Sequence, residues 1–137
     1  MRILFVCVEN AGRSQMAEAF AKRLAPPGVG IFSAGSSPAE SVHPEVIKAM
    51  REVGMDLASC KPKGFEALPP GPFDVVVGMG CGDSCPPRES EDQSARRMVV
   101  WEIPNPKGQP PEGVRRIRNE IETKVRTLLE DLKGSDP

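Results

Sequence analysis

The chain contains no tyrosine, and aromatic side chains make up only 4% of its 137 residues. This scarcity disfavours a pocket walled by aromatic rings. Basic and acidic residues are balanced at 18 and 19, so the chain lacks the positive excess that is typical of nucleic-acid-binding proteins. No apolar run approaches the roughly 18 residues of a membrane span. We therefore expect neither a nucleic acid nor a membrane as a partner.

The first residues do not resemble a signal peptide. MRILFVCVEN holds a short apolar stretch, but no small-residue cleavage site follows it and Glu9 adds an acidic group. We expect a cytoplasmic protein that forms one domain over residues 1–137, with a flexible tail at 134–137. Four cysteines in such a protein indicate catalytic, redox or metal-binding thiols before they indicate structural disulfides.

Strands and helices alternate along the sequence. Apolar runs predict buried strands at residues 2–6, 29–34, 73–79 and 98–101. Apolar residues at steps of three and four predict helices at residues 14–24, 44–53 and 112–132. This alternation predicts a single-domain α/β fold, with a four-stranded parallel sheet in the flavodoxin-like order 2-1-3-4 and helices on both faces. Ligands of such folds bind where the strand order reverses, between the ends of the first and third strands.

The loop between the first strand and the first helix carries the main chemical signal. It reads CVENAGRS, from Cys7 to Ser14, and its small residues allow successive backbone N–H groups to point inward. Together with the helix N-terminus and the planar guanidinium of Arg13, these groups would hold a tetrahedral oxyanion. The same positive field favours the thiolate of Cys7, and the Ser14 hydroxyl is placed to donate to it. The alternative is a buried cysteine that simply ends a core strand.

The sequence around this loop, VCVENAGRSQMAEAF, resembles the thioredoxin-coupled arsenate reductases. These enzymes share the fold and the C-x5-R-S loop of the low-molecular-weight protein tyrosine phosphatases. Further matches extend over nearly the whole chain: SAG at Ser33–Gly35, HP at His43–Pro44, the strand before Cys81, and WEIPNPKG before the last helix.

The resemblance implies roles for the loop residues. Cys7 would be the nucleophile and Arg13 the clamp on the transition state. The residues that would bind the oxyanion are Val8, Glu9, Asn10, Ala11, Gly12 and Arg13. No tightly bound cofactor or catalytic metal is implied, but in some relatives Asn10, Glu18 and Ser33 would correspond to residues around a potassium ion.

Two further cysteines, Cys81 and Cys85, follow the third strand. If strands one and three are neighbours, the ends that carry Cys7 and Cys81 meet at one edge of the sheet. The resemblance then implies a relay. Cys7 forms an adduct with arsenate, Cys81 attacks the Cys7 sulfur and expels arsenite, and Cys85 takes over the disulfide for reduction by thioredoxin.

The spacing of the two later thiols departs from the best known reductases, because only three residues separate Cys81 from Cys85. Four helical steps rise about 6 Å, which lies within the range that a disulfide spans. Two alternatives stay open. The pair could be incidental loop cysteines, or could form a zinc site with Cys60 and His43, although the close C-x2-C pair of such sites is missing.

Asn105 is a second departure. The phosphatases and many of the reductases place an aspartate before the proline of this segment as the general acid, and asparagine cannot donate a catalytic proton. Asp83, Glu102 or Asp92 could substitute, and the NP pair could equally be a simple turn. We expect weak phosphatase activity at most.

The sequence therefore favours an arsenate reductase that binds arsenate or phosphate and uses thioredoxin. One alternative is a phosphatase that hydrolyses aryl phosphates through Cys7, and another is a non-enzymatic oxyanion or redox sensor. Structural roles are expected for three other residues: His43 at a helix terminus, Trp101 as a core anchor, and Cys60 as a spare loop thiol.

Overall fold

The strands and helices of the computed structural model follow the predicted alternation. The model describes residues 1–70, 72–80 and 97–134. The strands are β1 (Arg2–Cys7), β2 (Gly30–Gly35), β3 (Val75–Gly78) and β4 (Arg97–Val100). The helices are α1 (Arg13–Leu24), α2 (Pro44–Arg51) and α3 (Pro111–Gly134), with a short 3-10 helix at Phe65–Ala67.

The four strands form one parallel sheet in the order β2-β1-β3-β4, which confirms the predicted topology. Val6 pairs with Ala34 of β2 and with Gly78 of β3. β1 is therefore central, and the chain leaves its C-terminal end between the ends of its two neighbours. The predicted ligand site lies at this edge of the sheet.

The three α-helices of the described residues pack on the same face of the sheet. Their apolar residues join Ile3, Phe5, Val75 and Val77 in the larger core cluster. The smaller cluster on the second face is covered by residues of the 3-10 helix segment, Phe65 and Leu68. The long amphipathic helix α3 contacts both α1 and α2, so the apolar faces of these three helices share one core.

Element ends differ modestly from the sequence expectations. β3 is shorter than predicted, and α2 ends at Arg51 because the chain then turns through Gly54 at a φ of +83°. α3 continues to Gly134, which was expected to begin the tail, while residues 135–137 lie outside the described part. Trp101 is buried against Phe5, as expected for a core anchor. Within the described residues, no helix is both long enough and apolar enough to cross a bilayer.

An ion-pair cluster joins α2 to α3. The carboxylate of Glu52, directly after α2, lies 2.7 Å from Arg115 Nη2 and 2.9 Å from Arg118 Nη1. Arg118 also donates to the carbonyl oxygen of Ala49 at 2.8 Å. The hydrogen bonds from Arg115 and Arg118 lower the pKa of Glu52 from 4.5 to about 2.

This shift predicts an acid-dependent loss of stability. Because the folded-state pKa lies below the unfolded-state value, ionised Glu52 stabilises the fold above pH 4.5, and this contribution disappears as the pH falls toward about 2. Urea midpoints measured between these two pH values should therefore fall less for Glu52→Gln than for the wild type. Glu122→Gln removes a carboxylate that pairs with Arg126 within one turn of α3 and serves as the control. Identical pH profiles for Glu52→Gln and the wild type would contradict the assignment.

Candidate active site

Cys7 ends β1 and is almost fully buried, and Arg13 begins α1 after the five-residue segment 8–12. Four carbonyl groups of this loop accept backbone N–H groups from segment 36–43 at 2.8 to 3.4 Å: those of Cys7, Val8, Glu9 and Ala11. Gly35 permits the close approach, since a Cβ there would lie 2.5 Å from the Val8 carbonyl oxygen.

The backbone N–H groups of residues 8–12 have no acceptor within the part of the chain that the structure describes. Since the loop carbonyls turn outward to segment 36–43, these amides are left to face the loop interior. Donors arranged in this way, next to a helix N-terminus, suit a tetrahedral anion. The geometry of the loop is therefore compatible with the oxyanion cradle that the sequence predicts.

Asn10 fixes the conformation of the loop. It is fully buried and has a φ of +50°, in the left-handed region that asparagine tolerates better than most residues. Its side-chain amide donates to Ser14 Oγ at 2.7 Å and to Ser33 Oγ at 3.0 Å. Its carbonyl oxygen accepts Gln15 Nε2 at 3.0 Å and the Lys63 backbone N–H at 2.9 Å. The amide therefore has a single orientation.

Ser14 links this network to the thiol. Its Oγ lies 2.9 Å from Cys7 Sγ. Since Ser14 Oγ accepts a hydrogen bond from Asn10, its own proton is available to the sulfur. A hydroxyl proton directed at sulfur stabilises a thiolate.

Arg13 is also held in place. Its side chain is buried, and Nη1 donates to the carbonyl oxygen of Ile103 at 2.9 Å. The backbone of Gly80, just beyond β3, lies directly against the guanidinium group. Residues from five parts of the chain line a cleft of about 380 Å³: Cys7, Val8, Glu9, Gly12, Arg13, Ser37, His43, Gly80, Asn105 and Lys107. Asn10 and Ala11, which were also expected to bind the oxyanion, are fully buried.

His43 has a role at the cleft that the sequence analysis missed. Besides preceding α2, it contacts Glu9 Oε1 through Nε2 at 3.3 Å, and Lys107 Nζ lies 3.4 Å from the other oxygen of Glu9. The sequence analysis gave the HP pair as part of the family match and His43 as a helix terminus or zinc ligand, but not as a contact of the Cys7 loop. Its position beside the loop depends on a hydrogen bond from the His43 backbone N–H to the carbonyl oxygen of Ala11. These two residues are far apart in the sequence.

Asn105 lines the cleft. Its Oδ1 accepts the Lys107 backbone N–H at 3.0 Å, as in a local turn. Of the three candidate substitutes, Glu102 is exposed and does not line the cleft. Asp83 and Asp92 lie outside the described residues, as do Cys81 and Cys85.

The three residues associated with potassium in relatives do come together. Ser33 donates to Glu18 Oε1 and accepts from Asn10. However, Lys63 Nζ lies 3.3 Å from Ser33 Oγ and 3.4 Å from Glu18 Oε1. The Asn10 oxygen is already occupied by two N–H donors, and the amide group turned toward Ser33 is itself a donor. This arrangement does not fit a potassium ion.

Comparisons with known proteins agree with this architecture. Residues 2–136 match the low molecular weight phosphotyrosine protein phosphatase family. The chain is 38% identical to a putative arsenate reductase from Halobacterium salinarum, over 96% of this chain and 93% of that protein. It is 34% identical to a glutaredoxin arsenate reductase from Synechocystis sp., over 93% and 95%.

A solved structure extends the likeness to three dimensions. A thioredoxin-dependent arsenate reductase from Corynebacterium glutamicum aligns with a TM-score of 0.75 and 33% identity, over 98% of this chain and 63% of that one. Both the loop geometry and the whole-chain similarity lead to the same assignment. The chain belongs to the low molecular weight phosphotyrosine protein phosphatase family, and the relatives described above are named as arsenate reductases.

Proposed function

We propose that this protein reduces arsenate to arsenite, with Cys7 as the nucleophile and a relay through Cys81 and Cys85 that thioredoxin reduces. The observation that carries the proposal is the Cys7 sulfur, which lies 2.9 Å from the Ser14 hydroxyl in a loop whose amides and arginine suit an oxyanion.

In the binding step, arsenate lies in the cleft with its oxygens directed at the N–H groups of residues 8–12. The Arg13 guanidinium binds two oxygens in a planar fork, which lysine could not do with the same geometry. Its bond to Ile103 holds the guanidinium at the cleft, so that little ordering is needed when the anion arrives.

In the first chemical step, the Cys7 thiolate attacks arsenic and one oxygen leaves as water. The product is a covalent thiol–arsenic adduct in which arsenic is still pentavalent. Ser14 lowers the energy of the thiolate before the attack, and Asn10 keeps Ser14 directed at sulfur. Arg13 balances the negative charge that develops on the oxygens.

In the second step, Cys81 attacks the Cys7 sulfur. The electron pair of the sulfur–arsenic bond passes to arsenic, which leaves as arsenite, and a Cys7–Cys81 disulfide forms. Cys85 then attacks Cys81 and releases the Cys7 thiolate. The described chain supports this order, because Gly80 lies against Arg13 in the cleft and Cys81 is the next residue.

The reductant is proposed as thioredoxin because the chain carries two further thiols of its own. A Cys81–Cys85 disulfide is an intramolecular bond of the kind that a dithiol protein reduces. The relative from Corynebacterium glutamicum is named for thioredoxin, but the relative from Synechocystis is named for glutaredoxin. The two reductants are therefore compared directly in the test.

The phosphatase alternative needs Cys7 and Arg13 but neither later thiol. Two observations disfavour it. Asn105 stands at the position of the general acid, and the described lining of the cleft contains no phenylalanine or tryptophan against which a phenyl ring would stack. Phosphate esters with poor leaving groups should therefore react slowly.

The test measures two activities on one preparation. We expect catalytic arsenite release with thioredoxin, its reductase and NADPH, and slower release with glutaredoxin and glutathione. Aryl phosphate hydrolysis should be weak beside it. Aryl phosphate turnover that exceeds arsenate reduction would favour the phosphatase. Phosphate binding by calorimetry without turnover of either substrate would favour the sensor.

A further inference from the structure

The buried network behind the Cys7 loop contains a positive charge that belongs to the protein. Lys63 Nζ lies 3.4 Å from Glu18 Oε1 and 3.3 Å from Ser33 Oγ. The Lys63 side chain is one-third exposed and that of Glu18 only 10% exposed, so the pair is shielded from water on the carboxylate side. Such shielding strengthens an ion pair relative to one on the surface.

We propose that the Lys63 ammonium serves as a tethered cation that positions the Cys7 loop, so that this protein works without the potassium ion of some relatives. This inference depends on the proposed function only where it is tested by arsenate reduction. Lys63 is a positioning residue, since its contacts reach Cys7 only through Glu18, Ser33, Asn10 and Ser14.

The network runs in a defined direction from the ammonium to the sulfur. The ammonium and the Glu18 carboxylate fix Ser33, whose hydroxyl donates to Glu18. Ser33 Oγ then accepts one N–H of the Asn10 amide, and the other N–H goes to Ser14. Ser14 is thereby left with its proton for Cys7. We expect removal of the Lys63 charge to weaken the hydrogen bonds at the sulfur end of this network, between Asn10, Ser14 and Cys7.

Lys63 also acts on Asn10 through its backbone. Its N–H donates to Asn10 Oδ1 at 2.9 Å, so the same residue orients the amide and neutralises the carboxylate behind it. A substitution of the side chain keeps the backbone bond and isolates the effect of the charge.

A second lysine on the same carboxylate supplies a matched control. Lys22 Nζ lies 2.8 Å from Glu18 Oε2, on the exposed side of α1, where its side chain is 60% exposed. It pairs with the oxygen that Ser33 does not contact. If charge near Glu18 were all that mattered, the two lysines would be equivalent, whereas the network makes only Lys63 continuous with Ser33.

The experiment compares the full-length wild type with Lys63→Met, Lys63→Arg and Lys22→Met in potassium, sodium and choline chloride at equal ionic strength. The first readout is the rate of Cys7 alkylation by iodoacetamide, followed by mass spectrometry of the Cys7 peptide because the chain has three other cysteines. The second is the kcat and KM of arsenate reduction.

We expect the wild type to alkylate at the same rate in all three salts. Lys63→Met should alkylate about fivefold more slowly in choline, the size of effect expected for one partly buried ion pair, and potassium should restore most of this loss. Lys63→Arg and Lys22→Met should remain within about twofold of the wild type. The arsenate kcat should follow the same order with little change in KM.

A wild type that is accelerated by potassium over choline would overturn the inference, and so would a Lys63→Met variant that matches Lys22→Met. Failure of Lys63→Arg to restore the rate would also contradict a role of charge. The alkylation arm needs no arsenate chemistry. Absence of arsenate reduction in every variant would therefore overturn the proposed function while the cation test still decides the role of Lys63.

Discussion

Replacement of Cys81 by serine should stop arsenate reduction at the Cys7–arsenic adduct, before any arsenite is released. Without a thiol at position 81, no sulfur attacks the Cys7–arsenic adduct, so arsenic is not released as arsenite and the nucleophile stays blocked. The steady-state rate with thioredoxin should fall by at least about 1,000-fold, the loss typical when a covalent catalytic group is removed. Quenched assays that count the arsenite released per enzyme molecule would measure this loss.

The control for this variant is Cys60→Ser. Cys60 is a free thiol that packs partly against the large core cluster, and it does not line the cleft. It should retain full turnover. Cys85→Ser should accumulate a Cys7–Cys81 disulfide, which peptide mapping after one turnover would detect. Full multiple-turnover activity of Cys81→Ser would show that the relay is wrong.

Gly80→Ala should lower kcat/KM for arsenate by about 100-fold, the cost of a misplacement of about 1 Å at a reacting centre. Gly80 has a φ of +76°, and a Cβ there would lie 2.9 Å from the central carbon of the Arg13 guanidinium. The guanidinium would have to leave its bond to Ile103, and with it the position that faces the oxyanion. Steady-state kinetics and phosphate-binding calorimetry would both report the loss.

Gly108 is a matched control for the backbone cost. It has nearly the same φ, +77°, but a Cβ there would meet nothing within 4 Å. Both alanine variants should lose about 1–2 kcal/mol of stability, because alanine disfavours the left-handed conformation. Only Gly80→Ala should also lose activity. Equal activities of the two variants would refute the contact between position 80 and Arg13 as the cause.

Local sequence patterns located most of the elements. The apolar run of β1, the helical spacing of α1 and α3, and the loop CVENAGRS were readable because each depends on neighbours in the chain. The order β2-β1-β3-β4 also followed from the alternation and the handedness of crossovers. The 3-10 helix Phe65–Ala67 was missed, since three residues give no periodic signal.

The residues within the Cys7 loop were predictable from the sequence, whereas those that distant segments bring to the site were not. Cys7, Arg13 and Ser14 lie within one loop, so their proximity follows from the sequence itself. His43 and Lys107 reach Glu9 only because distant segments pair across the edge of the sheet. The same limitation hid Lys63, which stands 45 positions from Glu18.

The sequence by itself determined which groups could perform chemistry: a thiol and a guanidinium held by a short loop, and two more thiols after a later strand. Only the tertiary structure decided what surrounds them. The apolar faces of α1, α2 and α3 meet in one core cluster, a contact that joins segments far apart in the sequence. Folding also brings the Lys63 ammonium beside Glu18, 45 positions away in the sequence. Groups close in the sequence are brought together by the covalent chain itself. Contacts between distant residues depend on burial and long-range hydrogen bonds, which only the folded structure shows.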